Sequence, residues 1–378
     1  MFVPTLRRLT LIRIALSLYS EPEVLDLQLR YDKPLHLLPE NKWQHLFARK
    51  LPPSEYPEQL RLEIIAAIRP ISFEVFQFWM DHGELVPDTL NVYFKPDGTV
   101  DRMSTAEFLI SCETLDLETR FVLACQYLPS EDTDLFWQEL PPSFQTYIFQ
   151  KYTSERLFTT PHEKNVVRWK ELFLRKRGFR PVDNRELLFK PIGTVMTLCN
   201  PVLDSLGPDD RHSMFVDAFE ASARNIPMGR LCLYRMNANE RGSFLRSHPY
   251  QVLRIFLFCP LQPCFVETAN GVWDIISNDC FLFLLHIMIC QKIISKWNDF
   301  DYVLLLKQFW WKSPQRCRDY VAETRIYEIL SRIIEDQVFC TSLRSHVPPR
   351  YLIHGRTLFE NAEQCVRMTN LYEVINRN

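Results

Sequence analysis

The residues best suited to chemistry in this chain are its 11 cysteines and 9 histidines, in 378 residues. Cys259-x4-Cys264, with Cys280, His248 and His286 close by in sequence, supplies the donor types of a zinc site. The spacing departs from the usual knuckle of roughly two to four residues, and no Cys-x-x-Cys accompanies it. Cys280 and His286 sit on one apolar helix but point in different directions, so the reading is buried thiols and a satisfied core histidine, with no metal and no cofactor. Nucleophilic catalysis needs a nucleophile, a base and a group that orients the base. Gly-x-Ser-x-Gly, His-Glu-x-x-His, Gly-x-Gly-x-x-Gly and Walker-type loops are all absent. Asp81-His82 and Asp209-Asp210-Arg211-His212 place carboxylates beside histidines, but at helix ends, where capping and dipole pairing account for them. No residue is assigned a catalytic role; an enzyme of unrecognised type, its groups drawn from distant positions, is the remaining alternative.

Arg168–Arg180 (RWKELFLRKRGFR) is the strongest basic cluster. A patch for nucleic acid or an acidic partner is one reading. The other, preferred here, places Arg175, Lys176 and Arg177 in the last turn of a helix that stops before Gly178, against its free carbonyls. The net charge of −2 gives no field that favours nucleic acid or an anionic membrane.

The elements that must position these residues read as helices. Only 9 residues are Gly, where average usage gives roughly 26. Phosphate-cradling and tightly turned β folds need glycine for positive φ and close approach. With 25 Pro and 47% apolar residues, the composition fits helices separated by Pro-marked turns around a substantial core. The chain is organised around Val272–Trp311, its most apolar part, which reads as two consecutive buried helices. Its run from Cys280 to Cys290 is too short to span a bilayer.

Along the chain, Thr5–Tyr19 places Leu9, Ile12, Leu16 and Tyr19 on one stripe. Ser20-Glu-Pro-Glu23 and Ser104-Thr-Ala-Glu107 have capping-box spacing. Gln59–Trp79 reads as two helices broken near Arg69-Pro70. Leu90–Val100, with Pro96-Asp97-Gly98 at its centre, is the one short hairpin candidate; a long interhelical loop is preferred. Helices are expected at 106–114, 117–127 and 131–140, and one from Thr160-Pro-His-Glu163 to Arg177. Further helices are expected at 195–206, 209–225, 230–236, 238–247 and 250–258. A long helix from Ser313-Pro314 to Phe339 follows, then one at 358–375. Leu-Pro-Pro-Ser at Leu51–Ser54 and at Leu140–Ser143 is the only hint of a repeat.

The fold expectation is all-α: an irregular, solenoid-like array of stacked antiparallel helix pairs. The pattern weakens from Arg180 to Gly193, so residues 1–178 form an N-terminal array and 179–378 a C-terminal one, within one continuous layered unit. Single, unclustered cysteines and the absence of an Asn-x-Ser/Thr sequon point to a reducing compartment, cytoplasmic or nuclear. Arg13 interrupts the apolar run at the N-terminus, which therefore reads as an amphipathic helix and not as a signal peptide.

Thr5-Leu-Arg-Arg-Leu-Thr-Leu-Ile-Arg-Ile14 resembles the first helix of a suppressor-of-cytokine-signalling box. That helix begins Ser/Thr-Leu, has a small residue four positions after the Leu and an aliphatic one four after that. Leu6, Thr10 and Ile14 hold those places. The resemblance implies docking of these three residues into elongin C, and so a substrate receptor of a cullin-type ubiquitin ligase. Leu51-Pro52-Pro53-Ser54 matches the cullin-selecting Leu-Pro-x-Pro segment in part. Thr10 stands where the family has Cys, and such boxes lie at the C-terminus. The leading expectation is a non-enzymatic protein–protein interaction scaffold with a protein partner, no nucleic acid and no membrane; the ligase receptor is the alternative.

Overall fold

The computed structural model describes residues 4–86, 91–152, 161–178, 207–221 and 225–335. They form eighteen α-helices. The described residues contain no strand, only an isolated antiparallel bridge between Phe94 and Val100. The protein is all-α. In order come α1 (Leu6–Tyr19), α2 (Pro22–Tyr31), α3 (Glu40–Lys50), α4 (Glu58–His82), α5 (Arg102–Ser111), α6 (Leu117–Tyr127), α7 (Ser130–Glu139), α8 (Pro142–Lys151) and α9 (Pro161–Lys176). Then follow α10 (Pro208–Ala221), α11 (Ile226–Arg235), α12 (Ala238–Ser247), α13 (Pro249–Phe256), α14 (Phe265–Asn270), α15 (Asn278–His286), a π-helix (Ile287–Ile294), α16 (Tyr302–Lys312), α17 (Gln315–Ala322) and α18 (Ile326–Glu335).

Helix starts follow local chemistry. The side chains of Thr5, Asp101, Asp116, Asn225, Ser277 and Asp301 each accept a backbone N–H in the first turn of the helix they precede. Two expected capping boxes are corrected. Ser20 Oγ donates back to Leu16 O and leaves Glu21 as the N-cap of α2. Asp101, three residues before Ser104, starts α5. At α5 the Asp101 carboxylate takes the Ser104 N–H, whereas at α2 Glu21 makes no side-chain cap. Pro142 does not only stop α7; it opens α8, where its missing N–H costs nothing.

The described residues fall into two compact units, one drawn from residues 1–74, 96–99 and 238–378 and the other from 75–95 and 100–237. The sequence boundary at 180–193 lies outside the described residues, as do the helices expected at 195–206 and 358–375.

In the first unit the expected break at Pro70 is absent: α4 runs through it. A proline inside a helix costs about 3 kcal/mol. Burial of Ile64, Ile65, Ile68, Ile71 and Phe73 offsets that cost. Arg69, beside the proline, is buried and donates to Ser295 O at 2.7 Å and Lys296 O at 2.8 Å. The buried stripe of α1 is Leu11, Ile12, Ala15 and Leu18, rotated from the predicted one. Phe265 and Phe281 pack on Phe309 at 5.1 and 4.9 Å between ring centroids. The long helix expected from Ser313 is two, α17 and α18, separated at Glu323–Arg325, where Thr324 Oγ1 donates to Val321 O.

The second unit is centred on aromatic packing of α6, α7, α8 and α9. Phe121, Trp137 and Trp169 meet with centroids 4.9–5.1 Å apart, joined by Ile148, Tyr152, Val166 and Phe173. Trp169 Nε1 donates to Asp134 at 3.0 Å, so its polar edge is satisfied. No strand forms at the hairpin candidate: Phe94 and Val100 make one isolated bridge, with Asp101 N donating to Tyr93 O at 2.8 Å, so the segment is a loop.

Candidate functional site

The apolar stretch that reads as two helices contains a change of helical pitch. Ser277 caps α15, which passes at His286 into the π-helix. Long π segments are rare and cluster at functional sites. Lys296, in the left-handed region with φ 56, ends the segment, and Trp297 N closes on Lys292 O at 2.9 Å. Here Lys292 is 1% exposed in the heart of the first unit. Its Nζ lies 3.6 Å from the Phe258 ring centroid, 3.8 Å from that of Trp297 and 5.2 Å from that of Tyr302. It has no hydrogen-bond partner. Burial pushes the ammonium from 10.5 down to about 7, with Asp299 and Cys259 acting against that shift and Arg69 adding to it. Cation–π attraction from the three rings stands in for the missing hydrogen bonds.

Asp299 lies beside this cage. Its Oδ2 accepts from Gln262 Nε2 at 2.8 Å, and the Tyr302 hydroxyl lies 3.3 Å from it while 3.2 Å from Leu257 O. Burial pushes its carboxyl up, and Lys292 and Arg8 oppose that. Asp299 Oδ1, Gln262 Oε1 and Arg8 Nε are buried without partners. Arg8 Nη2 lies 3.4 Å from Cys259 Sγ. Arg8, Cys259 and Asp299 line a cleft of about 260 Å³, whose other walls come from α1, α4, residues 97–99 and residues 298–301. Gly98 closes one side at φ 85; a Cβ there would meet Ile12 Cγ2 at 3.0 Å. The lining holds five carboxylates (Glu63, Glu74, Asp97, Asp299 and Asp301) and one guanidinium. The sequence reading missed this cluster. Lys292 was visible as a charge ending an apolar run, but nothing in spacing placed it beside Cys259 or Asp299.

Of the candidate site residues singled out from sequence, Cys259 lines this cleft and the others fall elsewhere. Leu6 is 80% exposed and Thr10 is exposed, with Oγ1 donating to Leu6 O at 3.0 Å; Ile14 is half-buried. The outward face of α1 also carries Arg7, Arg13 and Ser17. No group of three or more His, Cys, Asp and Glu residues able to hold a metal exists among the described residues. His286 is buried with its pKa down at about 4, and His248 stacks on Phe244 at 5.3 Å.

In the second unit Asp81 and His82 serve different partners. Asp81 pairs with Arg102 and accepts from Asn225 Nδ2. His82 Nδ1–H donates to Phe78 O at 2.6 Å, and Nε2 accepts from the Tyr127 hydroxyl at 2.8 Å. Burial holds His82 at about 3, so it is the neutral tautomer with both nitrogens used. The basic cluster is likewise engaged: Lys170 donates to Phe149 O and Tyr152 O, Lys176 pairs with Asp134, and Arg177 lies 4.1 Å from the Phe173 centroid.

No family model, curated protein or solved structure matches the chain. No helix among the described residues is long and apolar enough to cross a membrane.

Proposed function

We propose that the protein is a non-enzymatic interaction scaffold, a layered helical array whose outer helix faces hold a protein partner. The observation that carries this reading is on α16. Tyr302, Leu305, Leu306, Phe309 and Trp310 turn inward and are buried. Leu304 and Trp311, seven residues apart, share the opposite face at 51% and 65% exposure. A solvent-facing indole next to a leucine costs hydration free energy, and tryptophan is the residue most enriched where partners bind tightly. The array works in a reducing compartment, cytoplasmic or nuclear, in keeping with the absence of a disulfide among the described cysteines. The test is capture of partners by the wild-type chain and by Trp311→Ser, with urea melts of both. Loss of a discrete captured species at unchanged stability supports the reading; identical capture contradicts it.

The 80% exposure of Leu6 favours a second reading, docking of α1 into elongin C through Leu6, Thr10 and Ile14 as part of a ubiquitin-ligase receptor. Binding of purified elongin C that Leu6→Asp abolishes supports it. No binding, or binding that Leu6→Asp leaves intact, removes it.

A further inference from the structure

We propose that Cys259 is a nucleophilic thiol in the wall of the first unit's cleft, built for reversible exchange with a small cationic disulfide. The proposal stands independently of the scaffold reading. Reactive cysteines sit in partly exposed, electropositive surroundings, because the thiolate is the nucleophile. Cys259 is half-buried, unbridged and lines the cleft. The Arg8 guanidinium reaches its sulfur at 3.4 Å from α1. From the π-helix, Lys292 brings a buried ammonium without a hydrogen-bond partner, packed against Phe258, the residue before Cys259. A thiolate at Cys259 holds the Lys292 proton, and the protonated amine stabilises the thiolate. Asp299 and Tyr302 lie beside the same group, and burial pushes the pKa of both up, with Lys292 and Arg8 opposing this at Asp299.

The other half-buried cysteines lack this arrangement. Burial and Glu267 raise the Cys264 thiol. Thr114 lowers the Cys112 thiol, but Cys112 lies outside the cleft and its carboxylates.

The rest of the cleft selects the reagent. Glu63, ionised through its bonds to Arg7 and Gln59, and Asp97 and Asp301 face it with carboxylates. An incoming disulfide with ammonium ends is concentrated there and one with carboxylate ends is repelled. In the step itself, the Cys259 thiolate attacks one sulfur of the disulfide. A new S–S bond forms, the old one breaks, and the departing thiolate leaves with the electron pair and takes a proton from water. A second small thiol reverses the exchange.

The experiment treats the full chain with cystamine, a dication, or 3,3′-dithiodipropionate, a dianion, and follows each cysteine by peptide mass. Cys259 is expected to react first, and with cystamine roughly tenfold faster than with the dianion at low ionic strength. Arg8→Met should move the half-maximal rate to higher pH. Glu63→Gln should shrink the cystamine preference and leave that midpoint in place, which keeps the charge argument testable if Arg8→Met misfolds. Modification of Cys259 no faster than of Cys112, Cys264 or Cys280, or equal rates with the two reagents, overturns the proposal.

Discussion

Replacing Lys292 with methionine isolates the cost of burying a charge in the π-helix. Methionine keeps an unbranched stem against Phe258 and Trp297 and removes the ammonium. The folded chain holds this group at about 7, against 10.5 for the ordinary lysine. Between those values the unfolded chain binds more protons than the folded one, so stability rises with pH. For a single group so shifted, the gain from pH 7 to pH 8.5 works out at roughly 1.6 kcal/mol. Attraction by the rings at 3.6 and 3.8 Å lifts the folded value and reduces the gain. Urea melts of wild type and Lys292→Met at both pH values give the difference directly. Buried thiols such as Cys125 and Cys232, whose pKa values burial also raises, are common to both proteins and cancel. The variant should be the more stable protein at pH 7, with its advantage shrinking at pH 8.5. A wild-type-minus-variant difference that does not change with pH refutes the placement of a costly ammonium at this position.

Other outcomes follow from the same packing. His82 at about 3 and His286 at about 4 lie far below 6.5. Their contribution is present above pH 6.5 and lost as pH falls, about 2 kcal/mol each by pH 5, readable in urea melts at the two pH values. Arg69→Met leaves the carbonyls of Ser295 and Lys296 without their donor and should cost about 3 kcal/mol or more in the same assay. Gly98→Ala strains a backbone at φ 85 and drives a Cβ against Ile12, which should cost about 1–2 kcal/mol.

Much of the helical plan is legible in the sequence, because caps and prolines act locally. Leu117–Tyr127 and Ala238–Ser247 fall where the periodicity puts them. Pro70 misleads because its penalty is local while the burial of Ile68 and Ile71, and the Arg69 clamp on residues 295 and 296, are tertiary. The π-helix hides for a related reason: an apolar run satisfies either pitch. The two Leu-Pro-Pro-Ser copies diverge, one in the turn after α3 and the other leading into α8. The cleft cluster is invisible in one dimension because Arg8, Cys259 and Asp299 are far apart in the chain, and their types are common ones.

Whether the outer face of α16 meets a partner is the question most directly open to measurement. A photo-crosslinking residue at Trp311, and in separate proteins at Leu304 and at the exposed Glu323 of the following turn, reports contact at each point. The scaffold account predicts one adduct of defined mass, formed from positions 304 and 311 and missing from 323. No adduct at 304 and 311, or the same adducts from all three positions, contradicts it.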